Sequence, residues 1–172
     1  MILSGTLLVY LTNTVIAKDI RGTFKEDNLT GTIEIDRING GSGNDTLIGL
    51  GGDDILNGEV GSDFLIGSEG DDYLIGGKNN DTIKGNSGYD EIEGNSGYDI
   101  IMSGSGNDNL FGGSGNDFLY GEEGNDNLFG GPNDDTISGG NGMDYFDCGL
   151  GKDQVLDFNL AEGDVRSVNC EK

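Results

Sequence analysis

Residues Gly40–Gly77 read GGSGNDTLIGLGGDDILNGEVGSDFLIGSEGDDYLIGG. An Asp recurs every nine residues, at Asp45, Asp54, Asp63 and Asp72, and two positions after each stands Leu47, Leu56, Leu65 or Leu74. With the Asp taken as position 6 of a nine-residue unit, the register runs without insertion or deletion through thirteen units, Gly40 to Leu156. Position 6 is Asp45, Asp54, Asp63, Asp72, Asp81, Asp90, Asp99, Asp108, Asp117, Asp126, Asp135, Asp144 and Asp153. Position 8 is always apolar: Leu47, Leu56, Leu65, Leu74, Ile83, Ile92, Ile101, Leu110, Leu119, Leu128, Ile137, Phe146 and Val155. Position 4 is Gly except at Asn79 and Asn133, and position 1 is Gly except at Ser103 and Cys148. Two weaker units, Gly22–Thr30 and Gly31–Asn39, keep Asp27, Asp36, Leu29 and Ile38 but carry Lys25 and Glu34 at position 4.

Nine-residue spacing matches no helical stripe, and such a short apolar segment is a strand that alternates outward, inward, outward. Positions 7 to 9 are predicted to be that strand, with position 8 facing a shared interior, and positions 1 to 6 the turn. Two turns and two strands then close one coil of eighteen residues. Stacked coils give an all-β parallel β-roll, a two-sheet β-solenoid with rungs about 4.8 Å apart. Its interior is a thin ladder of Leu and Ile, which buries too little apolar surface to offset chain entropy unaided.

The same stacking sets Asp45 beneath Asp63 and Asp54 beneath Asp72. Carboxylates one rung apart repel unless a cation lies between them. Calcium, which takes 6–8 oxygen ligands at flexible geometry, fits two Asp side chains plus turn carbonyls; magnesium, strictly octahedral and reluctant to shed water, fits less well. The full units supply six stacked pairs on one edge and five on the other, hence several ions, up to about eleven. Ordinary turn preference is the rival explanation. It accounts for Asp or Asn at several places but not for Asp alone at position 6, while position 5 takes Asn, Asp, Ser, Tyr, Met and Lys.

Composition agrees. The chain has 172 residues, enough for one domain, with 34 Gly, 1 Pro and a formal net charge of −23. That charge rules out non-specific nucleic-acid binding, which needs a basic surface, and is nearly cancelled by a full set of divalent ions. The absence of His removes three-histidine zinc sites and His-based triads.

The units GGSGNDTLI (40–48) and GGSGNDFLY (112–120) resemble the RTX, or hemolysin-type, calcium-binding nonapeptide G-G-x-G-x-D-x-U-x, and the resemblance covers about two-thirds of the chain. It implies a parallel β-roll with calcium in the turns, held by the thirteen position-6 Asp residues and by backbone carbonyls. Asn79 and Asn133 depart from the pattern in a tolerable way, since Asn accepts left-handed geometry. Lys25 and Glu34 weaken the first two turns.

The ends divide the chain. Residues 1–17, MILSGTLLVYLTNTVIA, are predicted to be a signal peptide, with small residues Val15 and Ala17 before Lys18; the alternative is an N-terminal cap strand. Residues 18–39 form degenerate repeats or a cap, 40–156 the roll and 157–172 a C-terminal cap. A Cys148–Cys170 disulfide would pin that cap over the exposed sheet edge in an oxidising compartment; two free thiols are the other possibility. Functionally the sequence points to a secreted or cell-surface, non-catalytic, calcium-binding protein. An accessory carbohydrate-binding or adhesion module is the alternative, with self-association or a cell-surface or glycan partner. Neither nucleic acid nor a membrane span is expected. Outward Ile100, Met102, Phe118 and Tyr120 are expected to make a contiguous apolar patch, which is either an interaction surface or ordinary strand sequence.

Overall fold

The computed structural model describes residues 18–170; residues 1–17, expected from the sequence to be a signal peptide or an N-terminal cap strand, lie outside them. Among these residues every regular element is a strand. Odd-numbered strands in chain order form a nine-stranded sheet and even-numbered ones an eight-stranded sheet, all parallel. Partners are eighteen residues apart throughout the repeats, as Ile100↔Phe118 and Leu110↔Leu128 illustrate. The chain is thus a two-sheet β-solenoid, and each residue lies above its counterpart one coil earlier.

The strands are longer than the sequence suggests. Each one from Arg37–Ser42 to Tyr145–Leu150 has six residues and runs from position 7 through position 3 of the next unit. Only positions 4 to 6 turn. The physical reason is that alternation continues past position 9: position 8 and the following position 1 both face inward and are buried, as in Leu65 and Gly67 of Phe64–Glu69. Position 1 accepts only a small residue because it lies against the turn. A Cβ on Gly121 would stand 2.4 Å from Asp126 Oδ2 and 2.4 Å from the Gly139 carbonyl. Ser103 is accommodated by donating its hydroxyl to the Gly121 carbonyl at 2.7 Å.

Between the sheets lies one continuous file of fully buried side chains, Ile38 through Phe146, one per strand. The C-terminal end is closed by the tail. Val165–Arg166 adds a last short strand beside Tyr145–Leu150, Phe158 packs edge-on against Phe146 at 6.1 Å between ring centroids, and Arg166 lies over the Phe158 ring. Cys148 and Cys170 are joined in a disulfide, which resolves the choice left by the sequence; closing this loop contributes about 3 kcal/mol. The outward Ile100, Met102, Phe118 and Tyr120 are only half exposed and pair in adjacent rungs, with Tyr98 edge-on to Phe118 at 5.4 Å.

Candidate metal centre

The turns bring all thirteen position-6 Asp side chains into two stacks, one along each edge of the roll. One runs Asp45, Asp63, Asp81, Asp99, Asp117, Asp135, Asp153, and the other Asp54, Asp72, Asp90, Asp108, Asp126, Asp144. Every link is the same: the backbone N–H of one Asp donates to Oδ1 of the Asp one coil later, at 2.8 to 3.0 Å. The stacks extend beyond the thirteen full repeats, into the two weaker units and the C-terminal tail. Asp27 and Asp36 donate to Asp45 and Asp54, and Asp144 donates to Asp164 at 3.1 Å. Asp164 was not legible as a member because it stands twenty residues after Asp144 instead of eighteen.

These carboxylates are as buried as the core, with Asp90 and Asp99 fully enclosed. Oδ1 is satisfied. Oδ2 of every stacked Asp from Asp45 to Asp144 is also buried, yet it accepts no hydrogen bond, and none of these groups has a basic partner. Burial therefore pushes their pKa values up, against the backbone N–H that favours the charged form. Asp54, Asp81, Asp90, Asp126 and Asp135 reach about 7, and Asp72 and Asp99 about 6. Neighbouring carboxylates add to the rise, Asp72 and Asp108 acting on Asp90 for example.

Backbone oxygens close in from the same turns. A Cβ on Gly61 would meet the Gly43 carbonyl at 1.6 Å and Asp63 Oδ1 at 3.1 Å, so only a hydrogen fits between them. Asn79 and Asn133 hold the equivalent position with φ of 76° and 90°, the left-handed conformation that Asn tolerates. Among the described residues, no three or more His, Cys, Asp or Glu side chains converge as a metal cluster. The donor set is consequently carboxylate pairs with carbonyls: all oxygen, negatively charged and short of positive partners. A hard divalent cation of variable coordination fits such a set; zinc, which favours nitrogen and sulfur, does not.

Position 5, variable in sequence, carries a second ladder. Where it is Asn or Asp, its Oδ1 accepts the N–H of position 5 one coil later: Asn44 from Ser62, Asp53 from Asp71, Asn107 from Asn125, Asn125 from Met143. The pairs in i and i+18 were the available signal.

No curated protein is similar enough in sequence to count as a relative of this chain. The sequence profile of the RTX calcium-binding nonapeptide repeat, by contrast, matches in overlapping segments at residues 30–65, 58–92, 66–101, 85–119, 102–137 and 120–155. Those segments cover the coils that stack the buried carboxylates, so sequence, fold and turn chemistry agree in placing the chain in the family of RTX calcium-binding repeat proteins.

Proposed function

We propose that this chain is a secreted or cell-surface β-roll without catalytic activity. It folds on calcium held by the position-6 Asp side chains, Asp45 to Asp153, and by turn carbonyls. The observation that carries the reading is the series of buried, unpartnered Oδ2 atoms from Asp45 to Asp144. A buried charge without a partner costs several kcal/mol, and here that cost recurs in each turn from Asp45 to Asp144. A thin core cannot offset it, whereas a divalent ion between rungs removes it and adds its binding free energy to folding. An extracellular setting is supported by the Cys148–Cys170 disulfide, which persists in an oxidising compartment, and there affinities of about 10⁻⁴–10⁻³ M suffice for calcium modules. Carboxylates committed to a cation are poor acid–base catalysts, which argues against an enzyme.

Calcium titration of the EDTA-stripped chain, followed by circular dichroism and hydrodynamic radius, tests this. The stripped chain is expected to be expanded and to compact at millimolar calcium. An unchanged spectrum and radius on chelation would overturn the reading.

One observation favours a carbohydrate-binding role alongside. Phe111 and Phe129 stack at 4.8 Å on the nine-stranded sheet, next to a cleft of about 250 Å³ lined by Glu91, Glu93, Asn95, Phe111 and Gly113. An aromatic face beside carboxylate and amide groups suits a sugar ring. Binding on a glycan array that is lost in Phe111→Ala, with calcium uptake intact, is the expected signature; no binding to any glycan removes this role.

A further inference from the structure

The first two turns satisfy their carboxylates differently. In the unit Gly22–Thr30, Asp27 Oδ2 accepts the Thr23 N–H at 2.6 Å and the Thr23 hydroxyl at 2.8 Å. In Gly31–Asn39, Asp36 Oδ2 accepts the Thr32 N–H and, at 2.9 Å, the Thr32 hydroxyl. Each hydroxyl in turn accepts the N–H of the position-4 residue, Lys25 or Glu34, at 3.2 Å. In the full repeats that position-4 N–H instead reaches a carbonyl of the next coil, as Gly43 does to Val60 at 2.9 Å.

The backbone follows the same division. Position 2 of every full repeat has a positive φ, even where it is Leu50, Glu59 or Glu122, at 90°, 72° and 73°. Thr23 and Thr32 occupy position 2 of the weak units, and neither has a positive φ, a conformation that a β-branched side chain resists. With the backbone unflipped, the Thr N–H points at Oδ2. Position 4 is then free of the left-handed geometry, and Lys25 and Glu34 are not defects but residues of a different, internally closed turn. Asp164 shows the same solution at the other end: its Oδ2 accepts the Asn159 N–H at 2.6 Å.

We propose that Thr23 and Thr32 decide where calcium binding stops, by donating two hydrogen bonds to the carboxylate oxygen that elsewhere in the roll is left for the cation. Asp27 and Asp36 are then structural groups and not ligands, and the calcium stacks begin at the Asp45/Asp63 and Asp54/Asp72 pairs. The N-terminal coil is a cap that holds its shape without metal. This inference rests on the calcium reading above and specifies which turns it applies to.

Calcium content of the full chain at saturation, by equilibrium dialysis with elemental analysis, tests it. Asp36→Asn should bind as many ions as wild type, whereas Asp72→Asn should bind two fewer, those shared with Asp54 and with Asp90. Thr32→Ser keeps the hydroxyl and should hold the wild-type count. The double variant Thr32→Gly/Glu34→Gly rebuilds the repeat pattern around Asp36 and should gain one ion. A wild type that takes up no calcium overturns the reading of the whole roll. A wild type that binds calcium while Asp36→Asn loses an ion, or a rebuilt turn that gains none, overturns the cap assignment alone. Amide exchange in EDTA gives a readout independent of metal: the Thr23 and Thr32 amides should be more protected than the Asp81 and Asp99 amides, and equal or lower protection at the threonines counts against the cap.

Discussion

Positions 5 and 6 are neighbours in every turn, and both line up in ladders of side-chain oxygens that accept backbone N–H groups one coil away. Their directions are opposite: Asn107 receives the N–H of Asn125 in the following coil, while Asp108 receives the N–H of Asp90 in the preceding one. Their tolerances differ far more. Position 5 is Asn or Asp in most units but also Ser62, Tyr89, Tyr98, Met143 and Lys152; position 6 is Asp in every full unit. Accepting an N–H needs one oxygen, and Asn supplies it as well as Asp. If position 6 were doing only what position 5 does, it would vary in the same way. What separates the columns is the other side-chain terminus: position-5 Asn and Asp side chains are exposed, whereas at position 6 the second carboxylate oxygen of Asp45 through Asp144 is buried and accepts no hydrogen bond. The invariance of Asp is thus a demand for negative charge in an enclosed place, and it marks the carboxylate for a cation rather than for turn geometry.

The largest effect that sharpens this contrast comes from changing charge while keeping the acceptor. Asp99→Asn retains an oxygen for the Asp81 N–H but removes a charge shared by the sites toward Asp81 and Asp117. Calcium stoichiometry should fall by two, and the calcium midpoint of folding should rise severalfold. In EDTA the same variant should be more stable than wild type, since one buried charge is gone. Asn107→Asp, at position 5, should leave stoichiometry unchanged. Nearest-neighbour stacking makes the middle of the roll more sensitive than its end, so Asp27→Ala should matter less than Asp99→Ala. Equal losses of calcium from position-5 and position-6 substitutions would erase the distinction.

A proton is the other way to neutralise the buried column, and this fixes the sign of the pH dependence. The folded pKa values of Asp54, Asp81, Asp90, Asp126 and Asp135, at about 7, and of Asp72 and Asp99, at about 6, lie above the ordinary 3.8. Between these limits the folded chain holds protons that the unfolded chain has released. Calcium-free stability is therefore fullest below about pH 4 and is lost as pH rises through 6 to 7. Calcium competes with those protons, so its affinity should fall as pH drops through the same window. Circular dichroism in EDTA from pH 7.5 to 4.5 should show structure returning on acidification; structure that is pH-independent without metal would mean the carboxylates are not enclosed as described.

How much of this could be read from the sequence follows from which contacts repeat. Leu47 to Val155 and Asp45 to Asp153 recur in strict register because each packs on its own image one coil away, so period alone gave the two-sheet roll and the thirteen carboxylates. Features that do not repeat were illegible. Thr23 and Thr32 look incidental beside Lys25 and Glu34, because their role is to leave unflipped a backbone that is flipped at position 2 of every full repeat, a contrast visible only in the folded turns. Positions 1 to 3 read as turn because glycine at position 1 suits a turn, whereas in the strand it is required because an oxygen such as Asp126 Oδ2 stands where a Cβ would project. Asp164 was hidden by its two-residue offset from the repeat.

The smallest effect belongs to the position-5 ladder, and it tests the comparison from the other side. Asn107→Ala deletes the acceptor for the Asn125 N–H at 2.8 Å. The bond is exposed and the freed N–H turns to water, so the loss should be about 0.5–1 kcal/mol, with calcium content unchanged. Ser62 offers the reverse experiment. Among the described residues its side chain accepts no N–H from the coil above, although its own N–H is donated to Asn44. Ser62→Asn would supply an acceptor beneath the Asn80 N–H and extend the ladder by one link. A gain of a few tenths to about 1 kcal/mol is expected, read as a rise in thermal midpoint at saturating calcium, again with no change in ions bound. The charge carried by this column is immaterial to that outcome, so Ser62→Asp should stabilise to a similar extent through the same oxygen. If Ser62→Asp instead raised the calcium count, position 5 would belong to the metal sites and the line drawn between the two columns would be wrong.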